Sequence, residues 1–356
     1  MQVESKRRRS RLIVWLMLAA LYLGAAIGCG GGRGNQQTPA SASAQTAAQS
    51  GAQAGSPAAA TPFPRTVKDA FGDPLTLNAP PKRIVSQTLG TDEILFAICP
   101  RDRIAGISEI ALNGAYSKIV DEAKARGTKT IYGPEDILAL KPDLVFIASY
   151  SRAEMATLLR AAHAPVYRFS NFDRIEDIAN NVRQLGYLIG EDAAAARVVD
   201  DMNERLTRAR ARAAASGRHP RIMTYDGSGY TAGGNTLFDD VIRQAGGVNV
   251  SAEHGMKGFG RVSGEQILEW QPEYLICGAK PGEAENVRRR LMDNPAISTS
   301  TAGKAGRLIL MDTRVFLTTS HHVVTAAEAL VDALYGDGTH PALAQPKPRP
   351  APEPSR

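Results

Sequence analysis

The sequence predicts an α/β protein of two lobes, each with a mainly parallel sheet, joined by one long helix. Short apolar segments alternate with helical segments along most of the chain, which is typical of parallel sheets covered on both faces. Residues 191–215 contain no Gly or Pro and predict one continuous helix. A segment before this helix is echoed by a similar segment after it, which favours two lobes of similar plan.

The first residues of the chain form a targeting segment. Basic residues at 6–9 and 11 precede the uncharged apolar run 12–27, and together they predict a signal peptide over residues 1–28. Cys29 follows a small residue and precedes glycines, an arrangement similar to a bacterial lipoprotein box, although Ile27 departs from that pattern. We expect a lipid, palmitate among its chains, on Cys29; the alternatives are cleavage without a lipid and a retained signal anchor.

Two stretches are expected to be disordered. Residues 29–65 contain mainly Gly, Ala, Ser, Gln, Thr and Pro, so they bury too little apolar surface to fold and are expected to form a tether behind the lipidated cysteine. Residues 337–356, which become Pro-rich after Pro341, are expected to form a disordered tail. Removal of residues 1–28 lowers the formal charge from +6 to +2, so the net charge gives no indication of nucleic-acid binding.

The first lobe is assigned to residues 66–190. An apolar segment near 67–77 comes first, and strands then alternate with helices, the first of which is expected to have Thr91 as its N-cap. The predicted strands are 83–86, 103–107, 143–148 and 165–169, and the predicted helices are 92–98, 116–125, 135–140, 152–162 and 175–189.

The linking helix, residues 191–215, carries apolar side chains at three- and four-residue spacing. They are Val199, Met202, Leu206, Ala209 and Ala213, and charged residues fill the other faces. One stripe should therefore pack against the protein. At about 1.5 Å per residue the helix spans roughly 37 Å, about the width of a small domain, so it is long enough to join two lobes.

The second lobe is assigned to residues 216–336 and repeats the plan of the first. Residues 134–148 and 263–277 match each other: a Glu opens a short helix, an apolar residue closes it, and a Pro, an acidic residue and a buried strand follow. Two Rossmann-like lobes with a cleft between them are therefore expected. The predicted strands are 221–225, 273–277 and 307–311, and the predicted helices are 237–244, 264–270, 283–292 and 321–335.

The remaining two cysteines are expected to be small buried residues. Cys99 ends a helix before the linking helix, and Cys277 lies in an apolar strand after it, so a disulfide between them is not expected. No CxxC or Cys/His cluster indicates zinc. The six His are scattered, so neither a direct metal receptor nor a cofactor is expected.

Four segments in order resemble one protein family. These segments, 83–86 followed by 91–96, 135–143, 235–249 and 262–268, resemble those of the helical-backbone, class III periplasmic binding proteins of bacterial importers for iron-siderophores, haem and cobalamin. The resemblance extends over roughly residues 67–335. It implies a substrate-binding lipoprotein of an ABC importer in the cell envelope, lipid-anchored on the outer face of the inner membrane or in the periplasm, whose protein partner is the permease dimer.

The resemblance also implies roles for two acidic residues. In the family a Glu at the tip of each lobe docks onto Arg residues of the permease, and the matching positions are Glu135 and Glu265. A carboxylate at a helix N-terminus is favoured by the helix dipole, and two on a rigid frame would fit basic sockets at only one spacing. The alternative is that both are helix-start carboxylates without a partner.

Ligand contacts are expected from the loops at the carboxyl ends of the strands, where open α/β sheets bind their ligands. Tyrosines recur in these loops and suit a flat, conjugated or macrocyclic ligand, because each offers an apolar face and a polar tip. For each Tyr a half-buried loop aromatic is the alternative. The candidates are Tyr116, Tyr132, Tyr150, Arg152, Tyr230, Phe259, Arg261, His321 and His322.

The ligand class stays open among an iron-siderophore, cobalamin and haem. Haem needs an axial ligand, and Tyr132 stands near the Tyr of haem-binding relatives but in a shorter loop. His321 and His322 open the last predicted helix, where they could reach the cleft or form polar surface. Arg152 and Arg261 could balance an anionic siderophore.

A nucleotide-dependent α/β enzyme is the alternative from a different class. Residues 227–232 follow a strand and fit GxGxxA, a dinucleotide fingerprint. The following helix begins too late, and no acidic residue ends a strand about 20 residues further on, where a ribose partner belongs. No nucleophile elbow, P-loop or HExxH motif is present. We therefore expect a binding protein rather than an enzyme.

Overall fold

The computed structural model describes residues 62–70 and 72–343. The expected signal peptide, Cys29, most of the expected tether and residues 344–356 of the expected tail lie outside the described residues. The described chain opens with an antiparallel pair of strands, β1 (Arg65–Lys68) and β2 (Pro74–Leu77). None of the described helices is both long and apolar enough to cross a bilayer.

Arg65 belongs to this strand pair and not to the tether, which corrects the boundary expected at residue 65. Its guanidinium lies between the rings of Phe63 and Tyr187, at 4.5 and 4.7 Å from their centroids, and forms an ion pair of 2.9 Å with Asp192. The side chain is 1% exposed. A buried cation is costly unless it is paired, so this contact fixes β1 to the junction that precedes the long helix.

The first sheet has five parallel strands in the order β5-β4-β3-β6-β7. Its strands and helices in chain order are β3 (Ile84–Ser86), α1 (Leu89–Ile98), β4 (Ile104–Ser108), α2 (Val120–Ala125), β5 (Thr130–Ile131), α3 (Pro134–Ala139), β6 (Leu144–Ala148), α4 (Ala153–Ala161), β7 (Val166–Phe169) and α5 (Ile175–Ile189).

The long helix α6 (Asp192–Ala215) follows after a single turn. Gly190 ends α5 with a left-handed φ of 80°, which costs a glycine little, so the chain reverses there without strain. The predicted stripe is buried from Val199 to Ala213, and Ala195 extends it. The linking helix is therefore confirmed, with a start one residue later than predicted.

The second sheet has four parallel strands in the order β10-β8-β12-β13. A separate antiparallel pair, β9 with β11, accompanies it and was not predicted. The elements in chain order are β8 (Arg221–Thr224), β9 (Tyr230–Ala232), α7 (Leu237–Gln244), β10 (Val248–Asn249), α8 (Val250–Glu253), β11 (Phe259–Arg261), α9 (Gly264–Trp270), β12 (Tyr274–Ala279), α10 (Ala284–Met292), α11 (Pro295–Ser298), α12 (Thr301–Lys304), β13 (Leu308–Asp312), α13 (Thr313–Phe316) and α14 (Val323–Tyr335).

The predicted fold class, two parallel α/β sheets with one long helix between them in sequence, is confirmed. One hydrophobic cluster is shared by both halves and is built around α6. Leu95, Leu185, Leu206, Ile242 and Leu330, from α1, α5, α6, α7 and α14, all belong to it. Two smaller clusters fill the other face of each sheet. The helix therefore packs against both halves along its length.

Several predicted boundaries were wrong. Helix α1 begins at Leu89 with Thr88, not Thr91, as its N-cap. The helix predicted over 116–125 begins only at Val120, because a short 3₁₀ turn at Glu109–Leu112 and further turns precede it.

The expected tail is ordered in its first residues. Ala342 and Leu343 are buried. Leu343 forms a bridge with Met311, and the Asp312 N–H donates to the carbonyl of Ala342 at 2.8 Å. Both thiols were predicted correctly: Cys99 and Cys277 are buried and free.

Candidate functional site

Loops that follow strands of the first sheet meet a loop of the second half. The loop after β3 carries Gln87 and Thr88, and the loop after β6 carries Ser149 to Ser151. From the second half, residues 317–322 approach them between α13 and α14. We call the side chains that join the two halves here the floor: Thr88, Glu93, Tyr150, Thr318, Thr319 and Ser320.

Glu93 is the centre of the floor. Its carboxylate accepts hydrogen bonds from the hydroxyls of Ser320 at 2.6 Å and Thr318 at 3.3 Å, and from the Lys118 N–H at 3.1 Å. Ser320 and Thr318 are more than 200 positions away from Glu93 in the sequence and belong to the second half. The Glu93 carboxylate therefore links the two halves directly. Burial raises the pKa of Glu93, and these hydrogen bonds oppose that rise.

Asp92 lies beside Glu93 but points into the first half. It accepts from the Ser108 N–H at 3.2 Å and from the Ser108 hydroxyl, at the end of β4. Burial raises the pKa of Asp92 to about 8, against the lowering effect of the hydrogen bonds from Ser108. Two neighbouring acidic side chains are thus buried where α1 meets the other half.

Tyr150, a predicted ligand residue, belongs to the floor. Its ring packs against Phe172 with centroids 5.2 Å apart. Burial raises the pKa of its hydroxyl, and hydrogen bonds with Thr319 and Thr88 oppose the rise. The hydroxyl therefore bridges the two halves, and only part of the ring is open to a ligand.

A second contact between the halves involves Tyr116. The Lys280 ammonium lies 5.8 Å from the Tyr116 ring centroid, and the Thr313 hydroxyl donates to the carbonyl of Ala115 at 2.5 Å. Lys280 follows β12 and Thr313 follows β13, so both come from carboxyl ends of the second sheet. Tyr116 therefore lies at the rim where the halves touch.

The two histidines pack against each other next to the floor. The rings of His321 and His322 have centroids 4.1 Å apart. They precede helix α14 instead of opening it, which corrects the prediction. Burial lowers the pKa of His321 to about 4 and that of His322 to about 3, with smaller contributions from Arg205 and Lys118. Both imidazoles are therefore neutral at pH 7, and the buried Nδ1 of His321 has no hydrogen-bond partner.

Three further predicted ligand residues lie together on the antiparallel pair β9–β11. The Arg261 guanidinium lies 5.2 Å from the Tyr230 ring centroid, and the two residues are paired in register. Phe259, 37% exposed, pairs with Ala232 at the other end of the same ribbon. The ribbon thus presents an aromatic and cationic surface, which suits a conjugated ligand with polar edges.

The last two candidates, Tyr132 and Arg152, face solvent. Tyr132 is 71% exposed and donates its N–H to Asp136, just before α3. Arg152 is exposed and precedes α4. Neither is part of the floor.

Glu135 and Glu265 occupy equivalent positions in α3 and α9. Each is the second residue of its helix and is exposed. Asp136 accepts from the Gly133 N–H at 3.2 Å, and Gln266 and Ser263 form a reciprocal cap at the start of α9. The predicted internal repeat therefore extends to the way both helices begin.

The sequence missed Glu93 and Lys280 as parts of the site. The available signal was a pair of acidic residues, Asp92 and Glu93, inside an otherwise apolar helix. No group of three or more metal-binding side chains is found in residues 62–70 and 72–343. The GxGxxA-like residues 227–232 run into β9 and not into a helix, so they lack the geometry of a dinucleotide site.

Comparisons with known proteins agree with this architecture. A model of the periplasmic binding protein family matches residues 84–315. The cobalamin-binding protein of Halobacterium salinarum is 27% identical over 259 residues, which cover 71% of this chain and 69% of that protein. The vitamin B12-binding protein of Vibrio parahaemolyticus is 28% identical, over 58% of this chain and 74% of that protein.

A solved structure extends the comparison to the fold. The periplasmic heme-binding protein RhuT from Roseiflexus sp. RS-1, in apo form, superposes with a TM-score of 0.63 at 24% identity, over 71% of this chain and 98% of that one. The chain belongs to the periplasmic binding protein family. With its helical backbone it is a class III member, a substrate-binding protein of an ABC importer, and its place is the cell envelope.

Proposed function

We propose that this substrate-binding protein captures a cobalamin-type ligand between its two halves and delivers it to a membrane permease. The observation that carries the ligand class is the similarity to the cobalamin-binding and vitamin B12-binding relatives, which extends over both halves. Cobalamin is a large macrocycle edged with amide groups, and it needs many hydrogen-bond partners besides apolar contact.

The side chains around the floor support this ligand chemistry. The neutral imidazoles of His321 and His322 can exchange hydrogen bonds with amides, whereas the buried hydroxyls of Thr318 and Ser320 already donate to Glu93. The Tyr230–Arg261 pair and Phe259, on the β9–β11 ribbon, offer stacking surface. In this proposal residues 66–190 and 216–336 act as two lobes, and the helix assigned to 191–215 holds them at a fixed distance.

The visible spectrum of the ligand tests the proposal directly. Purified protein is mixed with cyanocobalamin, hemin or a ferric siderophore, and bound colour is measured after gel filtration. We expect cyanocobalamin to co-elute with the protein, and Tyr230→Ala with Arg261→Ala to weaken it. If only hemin or only the siderophore co-elutes with the protein, that compound and not cobalamin is the ligand class. If none of the three co-elutes, the proposal is wrong.

We propose that Glu135 and Glu265 dock onto basic sockets of the permease dimer. Both are exposed carboxylates at the second position of matching helices, where the helix dipole stabilises negative charge. The variant Glu135→Ala with Glu265→Ala should abolish cobalamin uptake by cells and leave binding in solution unchanged.

Glu154 and Glu285 provide a matched control. Each is also the second residue of a helix, α4 or α10, and is exposed. The variant Glu154→Ala with Glu285→Ala should keep full uptake. Equal uptake by the two double variants would show that the docking assignment is wrong.

We also propose that Cys29 carries the lipid that keeps the protein at the outer face of the inner membrane. The lipoprotein-like residues around Cys29 support this. A palmitate analogue fed to cells should label the wild-type chain and not Cys29→Ala. Labelling of both chains would contradict the assignment.

A further inference from the structure

We infer that a basic groove at the edge of the first sheet opposite the floor is a second binding site, one for the phosphate group of an anion. The groove has a volume of about 390 Å³. Four cationic side chains line it, those of Arg83, Arg101, Arg126 and Lys129, against the single carboxylate of Asp102. Arginine and lysine are the side chains that bind phosphate oxygens best.

The position of the groove separates it from the floor. Arg83 immediately precedes β3, Ile104 begins β4, and Lys129 immediately precedes β5. In a parallel sheet the amino ends of the strands share one edge and the carboxyl ends share the opposite edge. A ligand in this groove therefore occupies the far edge of the first sheet from the floor.

Two of the cations are held in place by the protein. The Arg83 Nε donates to the carbonyl of Leu140 at 3.0 Å, and Arg101 donates to the carbonyl of Cys99 at 2.9 Å while its guanidinium lies over the Phe96 ring at 4.6 Å. Carbonyl partners orient a guanidinium without neutralising it. Arg83 thus keeps its full charge for an incoming anion.

The other two cations stand on a rigid turn. The Gly127 N–H donates to the carbonyl of Lys124, and the Thr128 N–H donates to the carbonyl of Ala123. Gly127 has a left-handed φ of 61°. These features form a Schellman motif at the C-terminus of α2. The Lys129 carbonyl accepts from the Ile107 N–H at 2.9 Å. The backbone under Arg126 and Lys129 is therefore fixed on both sides, although both side chains are exposed.

The charges around the groove leave it positive. Glu122 offsets Arg101 through a bond of 2.6 Å, and Asp102 offsets a second cation. Asp143 accepts the backbone N–H groups of Lys82 and Arg83 and is not among the residues that line the groove. Two positive charges remain within one groove, and a phosphate group with a negative charge would complete the balance.

Such a phosphate group could belong to a membrane lipid or to a soluble anion. The described chain begins beside this edge, because the Phe63 ring packs near Gly190 and Pro80, and Arg103 bonds the carbonyls of Pro81 and Ile189. Anionic lipid headgroups attract basic side chains that lie near the membrane surface, so the same cations would suit either source.

The experiment compares charge-matched variants of the full chain. Arg126→Gln with Lys129→Gln removes two exposed groove cations, and Lys257→Gln with Lys304→Gln removes two exposed cations from the second half. Inorganic phosphate is titrated by calorimetry, and vesicles of phosphatidylcholine with and without phosphatidylglycerol are tested by co-sedimentation. Any contribution of residues 12–27 to vesicle binding is common to all chains.

We expect the groove variant to lose about tenfold or more in affinity for at least one probe, because two charge-assisted contacts disappear, while the control stays near wild type. Loss for inorganic phosphate identifies a soluble anion, and loss only for phosphatidylglycerol vesicles identifies a lipid headgroup. Equal behaviour of the two variants, or no binding of either probe by wild type, would overturn the inference. Cyanocobalamin binding should be unchanged throughout, so this site and the proposed function can fail separately.

Discussion

Asp92 illustrates how a single buried acid is tolerated at the base of the site. An isolated carboxylate removed from water is expensive, and such a group avoids much of the cost by staying protonated. The pKa of Asp92 is raised to about 8 by burial, so the carboxyl is mostly neutral at pH 7. Its hydrogen bonds to Ser108 satisfy the backbone and hydroxyl groups at the end of β4.

We therefore predict that Asp92→Asn keeps most of the stability at pH 7, since an amide oxygen can still accept from Ser108. Asp92→Ala leaves the Ser108 N–H buried without a partner and should lower the free energy of unfolding by about 1–3 kcal/mol. Urea denaturation measures both. If the two variants had equally low free energies of unfolding, the hydrogen bonds to Ser108 would not be the source of the stability that Asp92 provides.

The same residue gives a pH dependence with a defined sign. The folded-state pKa of Asp92, about 8, lies above the value of 3.8 for the free side chain, so the native state binds more protons between these values. The stabilising contribution is full below pH 3.8 and is lost as pH rises to about 8. Over this window wild type should lose stability relative to Asp92→Asn, and parallel curves would contradict the assignment.

At the scale of elements, helix α6 connects the two halves by packing against both. Leu206 is 5% exposed in the shared hydrophobic cluster, and Arg205 next to it bonds Glu328 and Thr325 of α14. Leu206→Ala should lower the free energy of unfolding by about 2–5 kcal/mol through the lost burial and the cavity left behind.

A surface position on the same helix provides the control. Arg208 is exposed and pairs with Glu204 one turn away, so Arg208→Ala should cost no more than about 0.5 kcal/mol. Urea unfolding curves measure both variants. Similar losses would mean that the buried stripe of α6 does not hold the halves together.

The elements that were predicted well have local signals. The bounds of α5, α7 and α9 were predicted to the residue, because Gly190 ends the first, Thr236 caps the second and Ser263 with Gln266 caps the third. The ribbon β9–β11 was missed because α7, β10 and α8 separate its two strands in sequence, and short strands such as Tyr230–Ala232 have too little alternation to be recognised.

The candidate site shows the same division. Some of the loops expected to bind a ligand lie at the floor, because the carboxyl ends of parallel strands follow from the fold class. Tyr150 and the histidines do lie by the floor. The partners of Glu93 could not be predicted, because Thr318 and Ser320 are brought to it only by the packing of the two halves, and no local pattern records that approach.

At the scale of the whole molecule, the halves meet through polar groups that fit closely at the floor and through a shared apolar cluster around α6. Gly90, in α1, shows how close the approach is. A Cβ placed there would lie 2.4 Å from the Thr319 hydroxyl oxygen and 3.0 Å from its carbonyl oxygen. The carbonyl belongs to the backbone and cannot rotate away, so any side chain at this position must separate the two surfaces.

We therefore predict that Gly90→Ala acts as a wedge between the halves, whereas Gly114→Ala, in the same half with nothing within 4 Å of its added Cβ, does not. The wedge should lower the free energy of unfolding by about 1–3 kcal/mol, as other insertions into packed surfaces do. It should also speed hydrogen exchange at Ser320, whose N–H donates to the Thr318 hydroxyl. Lost stability with unchanged exchange at Ser320 would place the strain inside α1, and the floor would then not be the contact that sets the spacing of the halves.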